Sequence, residues 1–435
     1  MLKAGWPKDK TERRGFGQHA ILAVSVMLVV QFVTAESPSK VSQPQLEELG
    51  KQLFTDPNLS AQRNLSCSSC HAITLQPGQR YPSFIDERNK AALHAGLLDQ
   101  AAVSNGSLAG KRTTLNSPGL AYIAENGPLR YDVKAQAWFG GFFYNGRASN
   151  LIEQAEEPLL NPDEMGMPGK AAVVERLQEN EKYIQQFKQL FNLDLNIVDT
   201  RRDNAGSDRA FSRMLEAIAA FEATPLFRPY TLKYDFYLAG KLSLSSQELE
   251  GLLLYQSKVA CSKCHPQRLR PGPDGSVAPP LFTDFSYHNL GLPQNVSVSK
   301  ESEPNPGLAG NSQVIAAGMA GKARGKHRTP TLRNIALTAP YGHNGVFNSL
   351  LQIIQFYNNR DTLQTVCKDN LSADFGVGCW PAAEITENLN TEDMGMLGLS
   401  ANEELALVAF MEALTDGYPE WSDDPRVPPG TPSPY

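Results

Sequence analysis

Two short stretches, Cys67-Ser68-Ser69-Cys70-His71 and Cys261-Ser262-Lys263-Cys264-His265, decide how this chain is built. A pair of cysteines with two residues between them, followed at once by histidine, is the attachment signature of c-type haem. The two thiols reach the vinyl groups of one porphyrin, and the next imidazole points at the iron. A zinc site or a redox dithiol would leave the following histidine unexplained in both copies. The sequence therefore predicts two covalent haems c, attached through Cys67, Cys70, Cys261 and Cys264 and ligated by His71 and His265.

The two remaining cysteines, Cys367 and Cys379, bracket a loop with little apolar periodicity. In an exported protein such a pair is expected to form a disulfide, because compartments outside the cytoplasm are oxidising. Closing a loop of this size stabilises a fold by about 3 kcal/mol in the chain-entropy account. A pair of free reactive thiols is the alternative.

Residues 1–35 have the organisation of a secretory signal peptide. Five basic side chains precede or flank the start of an apolar run from Ala20 to Val33, which ends in Val33-Thr34-Ala35. The run is shorter than the ~20 residues of a membrane-spanning helix. We therefore expect a cleaved signal peptide and a periplasmic mature protein, with an N-terminal membrane anchor as the alternative.

The balance of charge limits the partners. The formal net charge is −6, and removal of the leader, with five basic and two acidic residues, lowers it to −9. An acidic chain disfavours nucleic acid as a partner. It suits a small redox protein with a basic patch, although charge kept for solubility explains it equally well.

The sequence contains an internal duplication around the two motifs. Each motif follows an amphipathic helical pattern, and the second pattern starts at a capping box formed by Ser245 and Glu248. After each motif come an Arg-Thr phrase and an Asn-Gly turn, and a leucine then opens another helix. The matching segments are Leu46, Leu49 and Leu53 with Leu249, Leu252 and Leu253; Arg112–Asn116 with Arg328–Asn334; and Asn145-Gly146 and Leu151 with Asn344-Gly345 and Leu350.

The duplication predicts a mainly α-helical protein of two cytochrome c-like domains, at 36–240 and 241–421. Each domain is expected to carry one covalent haem c, and the two domains to face each other across an interface with few strands. The length of 435 residues agrees, because a single hydrophobic core rarely grows beyond about 250–300 residues. Residues 422–435 form a proline-rich tail that is expected to lie over the surface or to be disordered.

The two halves differ where chemistry is expected. Superposition on the Asn-Gly turns sets Tyr357 opposite Pro158. A tyrosine phenolate can bind haem iron, whereas proline offers no ligand. The second haem is then closed by His265 and Tyr357, while the first haem, on His71, keeps an open position for peroxide. A packed core aromatic is the alternative reading of Tyr357.

Two polar residues accompany Pro158. Gln154 lies four residues earlier and on the same helical face, and Glu164 follows shortly after. A carboxylate over open iron can move a proton between the two peroxide oxygens, and an amide can orient the molecule, which together accelerate cleavage roughly 10²–10⁴-fold. The sequence therefore predicts Gln154 and Glu164 as the catalytic pair, with solvated helix and turn residues as the alternative.

Taken together, these residues resemble the bacterial di-haem cytochrome c peroxidases, and within them the MauG-like branch. The resemblance runs from about Leu46 to Gly417, nearly the whole mature chain. Its most specific segments are Phe142–Ala148, Gln154–Met165, Arg328–Asn334, Thr338–Gly345 and Phe356–Asn358.

The resemblance implies roles for residues in these segments. Tyr357 matches the ligand position of the low-spin haem and is similar to the MauG-like type, and Gln154 and Glu164 match the distal pair. The family also binds calcium between its haems through an amide and backbone carbonyls, which are ligands that calcium prefers. The matching positions for a calcium ion are Asn116, Thr338 and Pro340.

This chain departs from the family pattern in two places. Tyr144 stands where the family usually has the tryptophan between its haems, so Tyr144 is predicted to be the electron relay. Asn105 stands where ordinary peroxidases carry a distal histidine, and His94 is interpreted as a surface or packed residue. Three histidines of the second half are expected to hydrogen-bond the backbone or the haem propionates. They are His288, His327 and His343.

The sequence therefore predicts a periplasmic di-haem oxidoreductase that reacts with hydrogen peroxide at one haem and stores or relays oxidising equivalents through the other. A small cytochrome c or copper protein is expected to supply electrons, as for a cytochrome c peroxidase. The alternative is MauG-like oxidation of aromatic residues in a partner protein. A second alternative is a non-catalytic di-haem electron carrier. The chain is expected to be a monomer or a homodimer.

Overall fold

The computed structural model describes residues 41–71, 73, 102–259, 261–272, 275–298, 303–363 and 365–435. The predicted signal peptide and His94 lie outside these ranges. Within them the protein is mainly α-helical, as predicted. The helices are α1 (Gln43–Thr55), α2 (Cys67–Cys70), α3 (Leu151–Leu160), α4 (Lys170–Gln178), α5 (Glu181–Phe191), α6 (Asn204–Glu222), α7 (Lys233–Leu238), α8 (Ser246–Gln256), α9 (Ser312–Ala316), α10 (Ala320–Ala323), α11 (Leu350–Asn359), α12 (Ala401–Glu412) and α13 (Tyr418–Trp421).

The β-structure of these ranges consists of two-stranded pairs, which agrees with the prediction of few strands. The first three pairs are antiparallel, and the fourth is parallel. They are β1 (Arg130–Asp132) with β2 (Ala137–Phe139), β3 (Arg270–Pro271) with β4 (Val277–Ala278), β5 (Tyr287–His288) with β6 (His327–Arg328), and β7 (Val366–Cys367) with β8 (Trp380–Pro381).

The same helix crossing occurs twice and supports the predicted duplication. Helix α1 packs on α6, and α8 packs on α12. Gly50 makes the first contact so close that a Cβ atom there would lie 1.9 Å from the Ala217 carbonyl oxygen. Gly251 makes the second, where a Cβ would lie 2.0 Å from the Ala406 carbonyl oxygen. Only glycine allows two helix backbones to approach in this way.

Helix α8 buries a different face from the predicted one. Leu252 is 4% exposed, but Leu249 and Leu253 are 39% and 56% exposed. Leu249 and Leu253 therefore do not share the buried face of Leu252, although all three belong to the amphipathic pattern in the sequence. Contact at Gly251 sets the rotation of the helix, and Tyr255 fills the core in their place.

Two main hydrophobic cores surround the two crossings. The first includes Leu49, Phe54, Phe187, Phe211 and Phe221. The second includes Leu252, Tyr255, Phe282, Leu407 and Phe410. The first core also includes Leu281, which comes from the second half of the sequence. The boundary between the two cores therefore does not coincide with one point in the sequence, and the domain limits at 36–240 and 241–421 stay a prediction.

A buried polar network joins the two halves of the sequence. Arg333 donates to both carboxylate oxygens of Asp235, at 2.7 and 2.8 Å, and both side chains are fully buried. Next to them, Tyr122 donates to Asp416 at 2.9 Å, and Asn334 donates to the same carboxylate at 2.8 Å. Because a buried charge needs a partner, this network ties residues of the first half to residues of the second.

The C-terminal tail packs against the protein, which was one of the two predicted outcomes. Val427 is 1% exposed and joins a cluster with Phe236 and Tyr418. Near the end, the Ser433 hydroxyl donates to the Tyr230 carbonyl at 2.8 Å.

The predicted disulfide between Cys367 and Cys379 is confirmed, with Cα atoms 5.3 Å apart. In the ranges given above, no helix has both the length and the hydropathy that a membrane span requires.

Candidate haem and peroxide sites

The second attachment motif begins on a short 3-10 turn, Cys261–Lys263, where Cys261 and Cys264 carry free thiols. The backbone amide of His265 donates to the Cys261 carbonyl at 2.9 Å and folds the motif into one turn. Nδ1 of His265 lies 2.7 Å from the carbonyl of Phe282, which fixes the orientation of the imidazole. Burial lowers the pKa of His265, so the imidazole is neutral and can bind iron.

One cavity brings this motif together with Tyr357. Cys261, Cys264, His265 and Tyr357 all line it. Two thiols, a neutral imidazole and a phenol within an apolar wall are the groups that a covalent, six-coordinate haem requires, so these residues fit haem c. Burial raises the pKa of Tyr357, so the phenolate form needs a cation beside it. The apolar wall includes Leu290, Leu292, Ile353, Ile354, Met394, Leu397, Leu407 and Met411.

The first motif has the same local fold. Cys67 and Cys70 are the two end residues of α2, so their side chains are held one helical turn apart. The amide of His71 donates to the Cys67 carbonyl at 2.9 Å, as His265 does to Cys261. The first motif therefore fits haem c by the same turn geometry and the same donor atoms.

Two helices of ten residues, α3 and α11, occupy the same place in the two halves. Asn150 caps α3 and Ser349 caps α11, each by accepting a bond from the backbone amide three residues later. Pro158 and Tyr357 are therefore both the eighth residue of their helix, which agrees with the predicted correspondence. The loops before the helices also match, through the bridges Phe142 with Ala148 and Tyr341 with Phe347.

Glu164 lies in the turn after α3 and close to the first motif. The turn folds back on the helix, because the amide of Met165 donates to the Pro158 carbonyl at 3.0 Å. The Glu164 carboxylate accepts a bond from Asn161 at 3.0 Å, and burial raises its pKa. Its charge also helps to raise the pKa of Cys67, which places Glu164 near that thiol. Gln154 is half-buried on α3, one turn before Pro158.

The second half has an equivalent acid that the sequence analysis missed. The phrase Glu164-Met165-Gly166-Met167 has a counterpart in Asp393-Met394-Gly395-Met396, which residues 360–389 separate from α11. Asp393 accepts a bond from Asn390 at 3.1 Å, just as Glu164 does from Asn161. Lys263 also binds Asp393, at 2.5 Å, and holds the pKa of that carboxyl below its ordinary value. Asp393 is therefore ionised, and the ammonium group of Lys263 balances its negative charge.

The three predicted calcium positions line one cavity. Asn116, Thr338 and Pro340 line the same cavity as the second motif. The Asn116 side-chain nitrogen donates to the Ala102 carbonyl at 2.9 Å, so its oxygen is left for a cation. Within the described ranges, no group of three His, Cys, Asp or Glu residues can hold a metal ion, so a cation there would rely on amide, hydroxyl and backbone oxygens.

Tyr144 lines this cavity beside two stacked histidines. Its ring centre lies 6.3 Å from that of His327 and 6.4 Å from that of His343, and the two imidazoles stack at 3.7 Å. Burial raises the pKa of Tyr144 to about 12. His327 bonds the Gly325 carbonyl at 3.1 Å, as expected, but His343 bonds the Glu384 carboxylate.

His288 also differs from the expectation, because its ring nitrogen bonds the Ser286 hydroxyl at 2.7 Å and lies 3.3 Å from the Cys264 sulfur. The contacts of His288 and His343 are thus with side chains, which sequence spacing alone cannot reveal.

Known proteins resemble the chain over most of its length. The family model for di-haem cytochrome c peroxidase matches residues 44–243. Methylamine utilization protein MauG of Paracoccus denitrificans is 34% identical over 399 residues, which cover 91% of this chain and 95% of that protein. Cytochrome c551 peroxidase of Nitrosomonas europaea is 28% identical over 346 residues, which cover 79% of this chain and 80% of that protein.

Solved structures agree with this relationship. The diheme peroxidase BthA from Burkholderia thailandensis superposes with a TM-score of 0.69 at 28% identity, covering 87% of this chain and 90% of that one. A MauG-like protein associated with microbial copper homeostasis superposes with a TM-score of 0.55 at 26% identity, covering 91% and 99%. The chain has two attachment motifs with matching local folds, and its relatives align with almost its full length. It therefore belongs to the di-haem cytochrome c peroxidase and MauG family, whose members are oxidoreductases with two haems c.

Proposed function

We propose that this protein is a periplasmic enzyme that cleaves hydrogen peroxide at its first haem, held by Cys67, Cys70 and His71. Cys261 and Cys264 would hold the second haem, His265 and Tyr357 would bind its iron, and that haem would store or relay the oxidising equivalents. Haem iron with an open coordination position supplies the electrons for cleavage of the O–O bond.

The observation that carries this proposal is the correspondence between Pro158 and Tyr357. Both are the eighth residue of helices that begin at equivalent caps. Tyr357 shares a cavity with His265 and offers a phenol oxygen there, whereas a proline side chain has no donor atom. One haem is thus capped, and the other stays open to a small ligand.

Acid-base groups favour the first half as the site of cleavage. Burial raises the pKa of Glu164, so its carboxyl can exchange a proton near neutral pH more readily than an exposed acid. Glu164 takes the proton from the inner peroxide oxygen and returns it to the leaving oxygen, while the Gln154 amide orients the molecule. Asp393 has no such role, because its bond to Lys263 keeps it ionised.

Tyr144 serves as the electron relay in this proposal, and calcium binds beside it. The buried phenol of Tyr144 and the oxygens of Asn116, Thr338 and Pro340 line one cavity with the second motif. A bound cation at that point raises the rigidity of the segment that carries these residues and of the path between the haems.

The oxidising equivalents have two possible destinations. A small periplasmic cytochrome or copper protein can reduce the enzyme, as in a peroxidase. Oxidation of aromatic residues in a partner protein is the second candidate, and the 34% identity to MauG together with the phenol of Tyr357 favours it.

Addition of stoichiometric peroxide to the purified ferric protein separates these outcomes. The visible and near-infrared spectra are followed with and without a reduced cytochrome c. Rapid oxidation of the cytochrome supports the peroxidase, and a long-lived oxidised protein that ignores it supports modification of a partner protein. A spectrum that does not respond to peroxide would leave only an electron carrier and would overturn the proposal.

A further inference from the structure

Glu222, the last residue of α6, is a buried acid that the proposed function does not use. It is 4% exposed, and its Oε2 atom has no hydrogen-bond partner in the described part of the chain. An unpaired buried polar group destabilises a fold, and it does so more strongly when it is charged. Such a residue calls for a role in the folded, haem-bearing protein.

Glu222 directly follows Phe221, which belongs to the hydrophobic cluster against which Cys67 and Cys70 of the first attachment motif pack. After burial, the charge of Glu222 is the largest cause of the raised pKa of Cys67, and Glu164 contributes less. Burial alone raises the pKa of Glu222 itself, to about 8. The group is therefore neutral over most of the physiological range and can be ionised without strong base.

The duplicated crossing shows what Glu222 faces. Ala217 on α6 corresponds to Ala406 on α12, because each meets the glycine of its partner helix. The same register sets Glu222 against Met411, and Met411 lines the cavity that contains Cys261, Cys264 and His265. By this correspondence, Glu222 faces the place of the first haem.

Other charged groups on the elements that pack against α6 lie at the surface or in pairs, and burial is the cause of the raised pKa of Glu222. The groups on α1, α3 and α4 are Glu47, Glu48, Lys51, Glu153, Glu156, Glu157, Lys170, Glu175 and Arg176, and those on α6 are Asp208, Arg209, Arg213 and Glu216.

We propose that Glu222 couples proton exchange to the redox state of the first haem. Glu222 would release its carboxyl proton to solvent when the haem is oxidised, with hydrogen peroxide as the electron acceptor, and would take a proton back when a small periplasmic redox protein returns the electron. The coupling is strong because a carboxylate and a haem that are both buried interact through a low dielectric. The thioether of Met411 cannot exchange a proton, so the second haem lacks this coupling. The proposal rests on haem attachment at Cys67 and Cys70.

Spectroelectrochemical titration of the holoprotein at several pH values tests the coupling. The midpoint potential of the first haem should fall as pH rises around neutrality, approaching about 59 mV per pH unit for one proton per electron. Glu222→Gln should remove this dependence and leave that of the second haem unchanged. Glu216→Gln, on the same helix but paired with Arg213 at the surface, is the matched control and should behave as the wild type.

An unchanged pH dependence in a folded Glu222→Gln variant would overturn the proposal. If that variant does not fold, infrared difference spectra of the oxidised and reduced Glu164→Gln protein give a second test, because that variant lacks the other buried acid near the motif. A protonated carboxyl band should disappear on oxidation, and a spectrum without any carboxyl change would refute the role of Glu222. Absence of c-type haem absorption would instead refute the proposed function.

Discussion

Glu164 and Asp393 each accept a hydrogen bond from the asparagine three residues earlier, at 3.0 and 3.1 Å, but Asp393 is also paired with Lys263. The two halves thus share the same turn, but only the acid of the second half has a lysine partner. Burial favours the neutral form of Glu164, while the ammonium group keeps Asp393 ionised. Proton exchange with peroxide is therefore expected in the first half only.

Replacement Glu164→Gln keeps the shape of the side chain and removes its proton chemistry. We expect the reaction with peroxide to slow by roughly 10²–10⁴-fold, the usual contribution of a positioned acid-base group. Stopped-flow mixing of the ferric protein with peroxide measures it. Asp163→Asn, which alters the neighbouring carboxylate at a surface pair with Lys111, should change the rate little. Equal rates for Glu164→Gln and the wild type would remove Glu164 from the site.

The rate of the peroxide reaction should also depend on pH through Glu164. The carboxylate must be ionised to accept the first proton, and burial raises its pKa above the ordinary value of 4.5. The rate should therefore fall as pH drops through that raised pKa. A profile measured from acid to neutral pH checks this, and Glu164→Gln should flatten it. A midpoint below 4.5 would contradict the burial of this group.

Tyr357→Phe removes only the phenol oxygen from the cavity of the second motif. We expect the spectrum of the second haem to lose its tyrosinate character and gain a high-spin component, because an axial ligand is lost. Tyr341→Phe, which alters another tyrosine that lines the cavity, serves as the control. The ligand role of Tyr357 fails if both variants give wild-type absorption and electron paramagnetic resonance spectra.

Arg333 and Asp235 form a fully buried ion pair that joins the two halves. Arg333→Met leaves the carboxylate of Asp235 without its partner, so we expect the free energy of unfolding to fall by about 3–5 kcal/mol. Urea unfolding measures the loss. Arg426→Met, at a pair whose arginine is half exposed, should lower the free energy of unfolding much less, because solvent screens a surface ion pair. Similar losses at both sites would show that the buried pair does not stabilise the fold.

Much of the local structure could be predicted from the sequence, because it depends on neighbours in the chain. Ser245 and Glu248 form the predicted capping box, with the Ser245 amide 2.7 Å from the glutamate side chain. Leu151 and Leu350 open helices after the Asn-Gly turns, and the disulfide at Cys367 forms as expected.

The features that were missed depend on contacts between distant segments. The register of Asp393 with Glu164 is hidden because residues 360–389 interrupt the repeat, although the shared Met-Gly-Met phrase was a usable signal. Nothing in the sequence links Lys263 to Asp393, and the exposure of Leu253 depends on how α8 rotates against α12.

In the proposed enzyme, one haem is open to small ligands and the other is capped. Titration of the ferric protein with cyanide or azide, followed by absorption and electron paramagnetic resonance spectroscopy, tests it most directly. We expect one equivalent to bind per chain and to convert a single high-spin haem, while the signal of the haem on His265 and Tyr357 does not change. Binding of no ligand, or of two equivalents per chain, would contradict it.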